Sequence, residues 1–395
     1  MADRDTPRGQ FAERTWAPDF ARAAGRRAAA GHYEAFIPDK LADEDPQLSA
    51  ATAALAERAA QEVLRLNQNA ANLASLEGLA RQLLRSEALA SSQIEGLGIS
   101  HRRLAEAALE GHASHKAQEV LANMRALEEA IALGARADPI TSDDVRSIHR
   151  ALAAVPPLDR IAGQFREEQG WIGGASPPDA DYVGPPEDHV KPLVADLCTF
   201  MNRDDIPPVV QAAMAHAQFE LIHPFGDGNG RVGRALIHVL LSKRRLADPY
   251  VPPISLVFGA NKDAYIAGLD NFQAGKMSAW VDQFSRAVIT STDKAAEFSR
   301  SVADLQREWR DRLGRVRSDA ASLAIIDHLP SFPYITVRIA QELAGRSQPA
   351  VARGFAQLEA AGILTRHQNR KKGETWEAKE LFDLLDQFEA SVRAS

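Results

Sequence analysis

The chain has 395 residues, 45% of them hydrophobic and 25% charged, with a formal net charge of -7 at pH 7. That length exceeds what one hydrophobic core usually supports, so two or three folding units are expected, and the acidic balance argues against wholesale attraction to nucleic acid or anionic lipid. No run approaches the roughly 18 apolar residues of a membrane span, and the Arg- and Ala-rich stretch from Met1 to Arg27 lacks a signal-peptide core, so a soluble, cytoplasmic protein is expected.

In chain order, alanine and leucine recur at helical spacing through Leu48–Asn67, Ala70–Glu95 and Ala117–Ala135. Thr141, Ser142 and Asp143 precede Val145, Ile148, His149 and Leu152, the pattern of a capped amphipathic helix stopped by Pro156 and Pro157. Between Arg160 and Pro186, glycines and prolines break any helix while Trp171, Ile172, Tyr182 and Val183 favour extended backbone. That stretch reads either as a β-hairpin over a cleft or as a long surface loop. Helical spacing returns at Val190–Asn202 and Pro208–Ile222. Cys198, the only cysteine, leaves no intramolecular disulfide or cysteine zinc site and reads as a small buried hydrophobe.

The densest chemistry lies in the run His223, Pro224, Phe225, Gly226, Asp227, Gly228, Asn229, Gly230, Arg231, Val232, Gly233, Arg234, set between two apolar helices. Gly226, Gly228 and Gly230 allow a loop to turn its amides toward phosphate oxygens, and the loop feeds a helix N-terminus that attracts anions. Arg231 and Arg234 add charge-assisted donors, Asp227 a hard oxygen suited to Mg²⁺, and Asn229 an amide. His223, at the end of the preceding helix, is the general-base candidate. His149 and His238, alone in helical patterns, read as core histidines.

This run resembles the catalytic signature of the Fic (FIDO) family, His–x–Phe–x–Asp/Glu–Gly–Asn–Gly–Arg–x–x–Arg, with every signature position intact. The resemblance spans roughly Tyr33 to Ala287. It implies a mainly α Fic-type helical bundle whose Trp171–Gly184 hairpin is a target-docking flap, with Trp171, Ile172, Gly173 and Tyr182 as its residues. It further implies a protein adenylyltransferase that moves AMP from ATP, with Mg²⁺, to a Ser, Thr or Tyr hydroxyl of a target protein. His223 would be the base, Phe225 a buried anchor and Asp227 the metal ligand. Asn229 and Arg231 would hold the α- and β-phosphates, Arg234 the γ-phosphate, and the Gly228 and Gly230 amides the transferred group, with Gly226 in the same nucleotide loop. Asn261–Leu269, containing Tyr265, would lie near adenine and ribose; Tyr265 reads equally well as core.

Ser91 and Glu95, four apart, share one face at the end of a helix that Gly96 would cap. Alone they read as a solvated face. They resemble the family's inhibitory motif Ser/Thr–x–x–x–Glu–Gly/Asn, which implies that Glu95 pairs with Arg234 and displaces the γ-phosphate.

Ser278–Leu313 reads as a long helix; Ser318–Leu329, Val337–Leu343 and Gln348–Ala361 follow as three more, and Gly362–Trp376 reads as a two-stranded wing, together a winged helix-turn-helix module. The expected division is 1–32 extension, 33–112 helical region with the inhibitory helix, 113–290 catalytic core, 291–317 linking helix and 318–395 winged module and tail. One rival reading is a DNA-binding regulator with Gln348–Leu358 as recognition helix and Arg366, Arg370, Lys371 and Lys372 on phosphates. Seven basic against six acidic residues between Asp319 and Ala378 make a weak footprint for that role, and protein binding or homodimerisation suits the module as well. A second rival is a Fic enzyme that removes AMP.

Overall fold

The computed structural model describes residues 6–17, 30–70, 76–109, 114–247, 250–369 and 373–394. Its first elements are strands β1 (Gly9–Trp16) and β2 (Gly31–Pro38), then helices α1 (Ala50–Ala70), α2 (Leu76–Ile94), α3 (His101–Leu109), α4 (His115–Ala135) and α5 (Ser142–Leu152). Strands β3 (Trp171–Ile172) and β4 (Tyr182–Val183) precede α6 (Glu187–Met201), α7 (Pro208–Ile222), α8 (Asn229–Lys243), α9 (Ile254–Ala260), α10 (Lys262–Gln273) and α11 (Met277–Leu313). The last elements are α12 (Ala321–His328), β5 (Tyr334–Thr336), α13 (Val337–Ala344), α14 (Gln348–Ala360), β6 (Thr365–Asn369), β7 (Gly373–Glu377) and α15 (Lys379–Arg393). The protein is mainly helical, as its periodicity predicts. No helix among the described residues is long and apolar enough to cross a membrane. Arg370, Lys371 and Lys372, residues 71–75 of the expected second helix, and 1–5 and 18–29 of the N-terminal extension lie outside the described residues.

The chain divides into two units, each drawn from three separate stretches: Met1–Ala60, Arg125–Leu246 and Lys262–Arg286; and Gln61–Met124, Ala247–Asn261 and Ala287–Ser395.

In the first unit, α7 is apolar on all sides and buried along almost its whole length, the pattern of a central helix. It runs against α8, and the two approach so closely that a Cβ on Gly233 would lie 3.0 Å from the Phe219 ring. Helix α5 is set by a capping box in which Thr141 Oγ1 accepts from the Asp144 amide and Asp144 accepts from the Thr141 amide. Its buried face is the expected Val145, Ile148, His149 and Leu152. Cys198 on α6 is buried, and burial pushes its thiol up to about 12. The antiparallel β1–β2 hairpin runs from Gly9↔Pro38 to Trp16↔Gly31. From β2, the Tyr33 hydroxyl donates to Gln169 Oε1 at 3.3 Å, and Gln169 Nε2 donates to the Gly184 carbonyl at 2.7 Å, tying the hairpin to the base of β3–β4.

In the second unit, Leu79 and Leu83 of α2 share one core with Ile325 of α12, Phe355 of α14, Trp376 of β7 and Phe382 of α15. Phe355 and Trp376 stack face to face, centroids 3.9 Å apart. The sheet order is β5-β7-β6, all antiparallel.

Candidate active site

The loop between α7 and α8 is built from backbone outward. His223 closes α7 in the left-handed region, φ 48° and ψ 60°, with its amide donating to the Phe219 carbonyl at 2.9 Å. Two residues on, Phe225 is buried, and its amide and carbonyl are both engaged by the Asn229 carboxamide at 2.8 Å. Asn229 therefore closes the loop on itself. Gly228 then starts α8 at φ 81°, where a Cβ would lie 2.8 Å from Leu152 Cδ2. The first bond within α8 runs from the Val232 amide to the Gly228 carbonyl, which leaves the amides of Asn229, Gly230 and Arg231 as helix N-terminal donors.

Charge is concentrated on that turn. Arg231 is 4% exposed and reaches Asp227 Oδ1 from Nη2 at 3.3 Å, while the Asp227 carboxylate is 56% exposed. The buried Nε and Nη1 of Arg231 have no hydrogen-bond partner among the described residues. Leaving such donors unpaired costs about 1–3 kcal/mol, so they mark a place for an anion. Arg234, one turn along α8, is also buried.

His223 is held from behind by Arg166. This buried guanidinium donates from Nε to the His223 carbonyl at 2.8 Å, from Nη1 to Glu168 at 2.8 Å and from Nη2 to Pro185 at 2.5 Å. Burial lowers its pKa to about 10, which leaves it charged at neutral pH. The Arg166 amide donates to the Pro224 carbonyl, and Phe165 bridges Phe225 in β fashion. A cleft of about 520 Å³ opens beside His223, Phe225 and Gly226, lined also by Phe165, Glu167 and Trp171.

The stretch at the mouth of this cleft is a hairpin, pairing Trp171 with Val183 and Ile172 with Tyr182. Trp171 and Ile172 are exposed at 37% and 42%. Gly173 takes φ 74°, and a Cβ there would run into the Asp181 carboxylate. Tyr182 points inward, donating its hydroxyl to the Leu221 carbonyl at 2.5 Å.

Two buried histidines stand behind the loop. His149 stacks on Phe225 with centroids 3.8 Å apart and planes 6° from parallel. Burial above all holds its pKa down at about 4. His216 on α7 lies 2.8 Å from the Tyr265 hydroxyl, and burial, then the Arg234 charge, hold it at about 3. Tyr265 is itself buried. Arg166 and His149 were not among the sequence candidates for the site.

Ser91, Glu95 and Gly96 belong to the second unit. Helix α2 ends where Gly96 turns left-handed at φ 81°, with the Leu97 amide donating back to the Ser92 carbonyl at 2.9 Å. Ser91 is buried and Glu95 exposed. The helix is fixed in its unit by Glu87, whose buried carboxylate accepts from the Ser255 amide at 2.8 Å and hydroxyl at 2.5 Å. Asn123 donates to the Ala88 carbonyl at 3.0 Å and Ser92 Oγ at 3.1 Å.

These elements describe a helical fold with its chemistry in one loop, and known proteins share it. The crystal structure of a Fic family protein from Desulfovibrio desulfuricans G20 superposes with a TM-score of 0.54 at 20% identity, covering 84% of this chain and 97% of that one. The Fic/DOC family profile matches residues 139–241, and the Fic/DOC family N-terminal profile matches 53–132. Two stretches of the chain are thus similar to the Fic/DOC family. The chain is 27% identical over 166 residues to protein adenylyltransferase fic-1 of Caenorhabditis elegans, covering 40% of this chain and 31% of that protein. Protein adenylyltransferase Fic of Aedes aegypti is 37% identical over 107 residues, 27% of this chain and 20% of that protein. The matched stretch thus spans between a fifth and a third of these relatives' length.

Proposed function

We propose that the protein transfers AMP from ATP to a Ser, Thr or Tyr hydroxyl of a target protein. The observation that carries this reading is the buried Arg231 guanidinium, two of its nitrogens unpartnered, at a helix N-terminus beside Asp227. The target oxygen attacks the α-phosphorus, its proton passes to His223, and the bond to the departing pyrophosphate breaks. Arg231, Arg234 and the amides of Gly228 and Gly230 stabilise the charge that builds on the phosphate oxygens. Among the described residues no three His, Cys, Asp or Glu groups cluster as a metal cage. The single exposed Asp227 carboxylate fits Mg²⁺ held otherwise by phosphates and water. When bound, that ion would neutralise phosphate charge. The exposed Trp171 and Ile172 suit the hairpin to docking an extended target segment by strand addition.

We further read Glu95 as the inhibitory carboxylate that competes with the γ-phosphate for Arg234, with Ser91 and Gly96 shaping the helix end that carries it. Intact-mass spectrometry of the parent, Glu95→Gly and His223→Ala proteins after incubation with Mg²⁺ and ATP tests both readings. An AMP adduct on the Glu95→Gly protein or an added target, absent from His223→Ala, is expected. Equal adduct in parent and Glu95→Gly would overturn the inhibitory role, and no adduct in any sample that binds ATP would overturn the transfer.

The module after residue 318 we read as a winged helix that binds protein, including a second copy of this chain in a homodimer. Arg366 is paired with Glu374 and lies over the Trp376 ring, and His367 lies 2.7 Å from Glu377, so these wing groups are engaged within the module. Salt-dependent retention of duplex DNA at low ionic strength would instead favour a regulator. The lone buried Cys198 suits a reducing, cytoplasmic setting.

A further inference from the structure

The loop that faces the proposed nucleotide is underlain by a side chain outside the signature. Helix α5 presents His149 and Leu152 to the loop, and the His149 ring is 1% exposed. Its two nitrogens have different partners. The Gly163 amide reaches Nδ1 at 2.9 Å, and Nε2 reaches the Asp227 carbonyl at 3.1 Å. An amide only donates and a carbonyl only accepts, so the ring is the neutral tautomer with its hydrogen on Nε2. Gly163 is itself held from the same helix, its carbonyl accepting from Arg146 Nε at 2.7 Å.

We propose that His149 is a positioning residue for the transfer reaction, fixing the peptide between Asp227 and Gly228 so that the Gly228 amide faces the phosphate. The argument is geometric. In a trans peptide the carbonyl and the following N–H point in opposite directions. With the Asp227 carbonyl tied to His149 beneath the loop, the Gly228 N–H points away from His149. The ring face holds Phe225 at 3.8 Å while its edge holds Asp227, so one imidazole fixes two points of the loop. Gly228 is confined from the same side, since a Cβ there would meet Leu152 at 2.8 Å. A pre-aimed amide acts in the transition state without reorganising, which is where its energetic value lies.

This inference rests on the proposed reaction, and its test separates the two. In a Glu95→Gly background, His149→Phe keeps an aromatic face for Phe225 and removes both hydrogen bonds, while His149→Gln restores an N–H toward the Asp227 carbonyl. Thermal melting identifies the folded fraction. For folded protein, His149→Phe is expected to lower kcat by about 10–100-fold, less than the roughly 100–1,000-fold of deleting an oriented donor outright because the Gly228 amide is mis-aimed and not removed, with the ATP KM changed far less. His149→Gln is expected to recover at least part of that loss. AMP, which carries the phosphate that the Gly228 amide faces, supplies a readout that needs no turnover: calorimetric titration should give weaker binding to His149→Phe than to His149→Gln. Unchanged kcat and AMP affinity in folded His149→Phe would overturn the inference, as would equal losses in the two variants. If the background protein binds AMP yet transfers none from ATP, the reaction reading falls, and the ratio of AMP affinities alone decides the role of His149.

Discussion

Several helices of this protein end in a left-handed residue, and two of them, α2 and α7, do so by different means. At the end of α2 the residue is Gly96, at φ 81°, where a Cβ would meet nothing within 4 Å. At the end of α7 it is His223, at φ 48°, a conformation that costs a side-chain-bearing residue about 1–2 kcal/mol. A glycine would end α7 more cheaply, but it would remove the imidazole. The fold therefore holds His223 in place from outside: its amide is bonded to Phe219, its carbonyl to Arg166, and the following Phe225 to Asn229. A helix end that must present a side chain in a strained conformation needs such external support, whereas one that only stops a helix does not.

Removing the support should have the largest effect. Arg166→Met leaves the carbonyls of His223, Glu168 and Pro185 without this donor, and a loss of about 3–4 kcal/mol in urea unfolding is expected, together with loss of transfer. A change below 1 kcal/mol would break the comparison.

Acid should come next. His216 and His149 titrate near 3 and 4 in the folded protein, below the ordinary value of 6.5, so the unfolded chain binds more protons between those limits. Their contribution is fully present above about pH 6.5 and is lost as pH falls toward 4. Comparing urea midpoints at pH 7 and pH 5 should reveal a loss on the order of 3–4 kcal/mol. The shift should shrink in a folded His216→Asn protein.

The two helix ends can then be compared directly by alanine. Gly228→Ala combines a left-handed backbone with a 2.8 Å approach to Leu152, and about 2 kcal/mol of destabilisation with loss of transfer is expected. Gly96→Ala meets only the backbone term, about 1 kcal/mol. Equal costs would show that packing at Gly228 is soft. The smallest effect has the opposite sign: His223→Gly should abolish transfer while raising stability by up to about 1 kcal/mol, measurable as a small rise in melting temperature.

What the sequence made legible follows from how local each signal is. The run from His223 to Arg234 is contiguous, and its loop-and-helix form could be read directly. So could α5, because Thr141 and its capping partner Asp144 are three residues apart. His149 read as an ordinary core histidine because its partners lie 14 and 78 residues away, at Gly163 and Asp227. Arg166 was missed for the same reason, its bond to His223 crossing 57 positions. The β1–β2 hairpin escaped because its strands are separated by residues 17–30, with no short turn signal to join them. Helix α15 did carry a local signal, buried Leu381, Leu385, Phe388 and Val392 at helical spacing, in a stretch expected only as a tail.

Cys198 turns the first unit into its own reporter. Its thiol is buried and pushed up to about 12, so at pH 8 the thiolate fraction in the folded protein is roughly 10⁻⁴, and alkylation of that state is slow. A maleimide should therefore label the chain mainly when the unit opens, adding one mass increment per molecule. The rate of that increment measures the opening equilibrium, and ATP should slow it by binding the closed state. A single cysteine, unremarkable as chemistry, thus supplies a clock for ligand binding that needs neither turnover nor a known target.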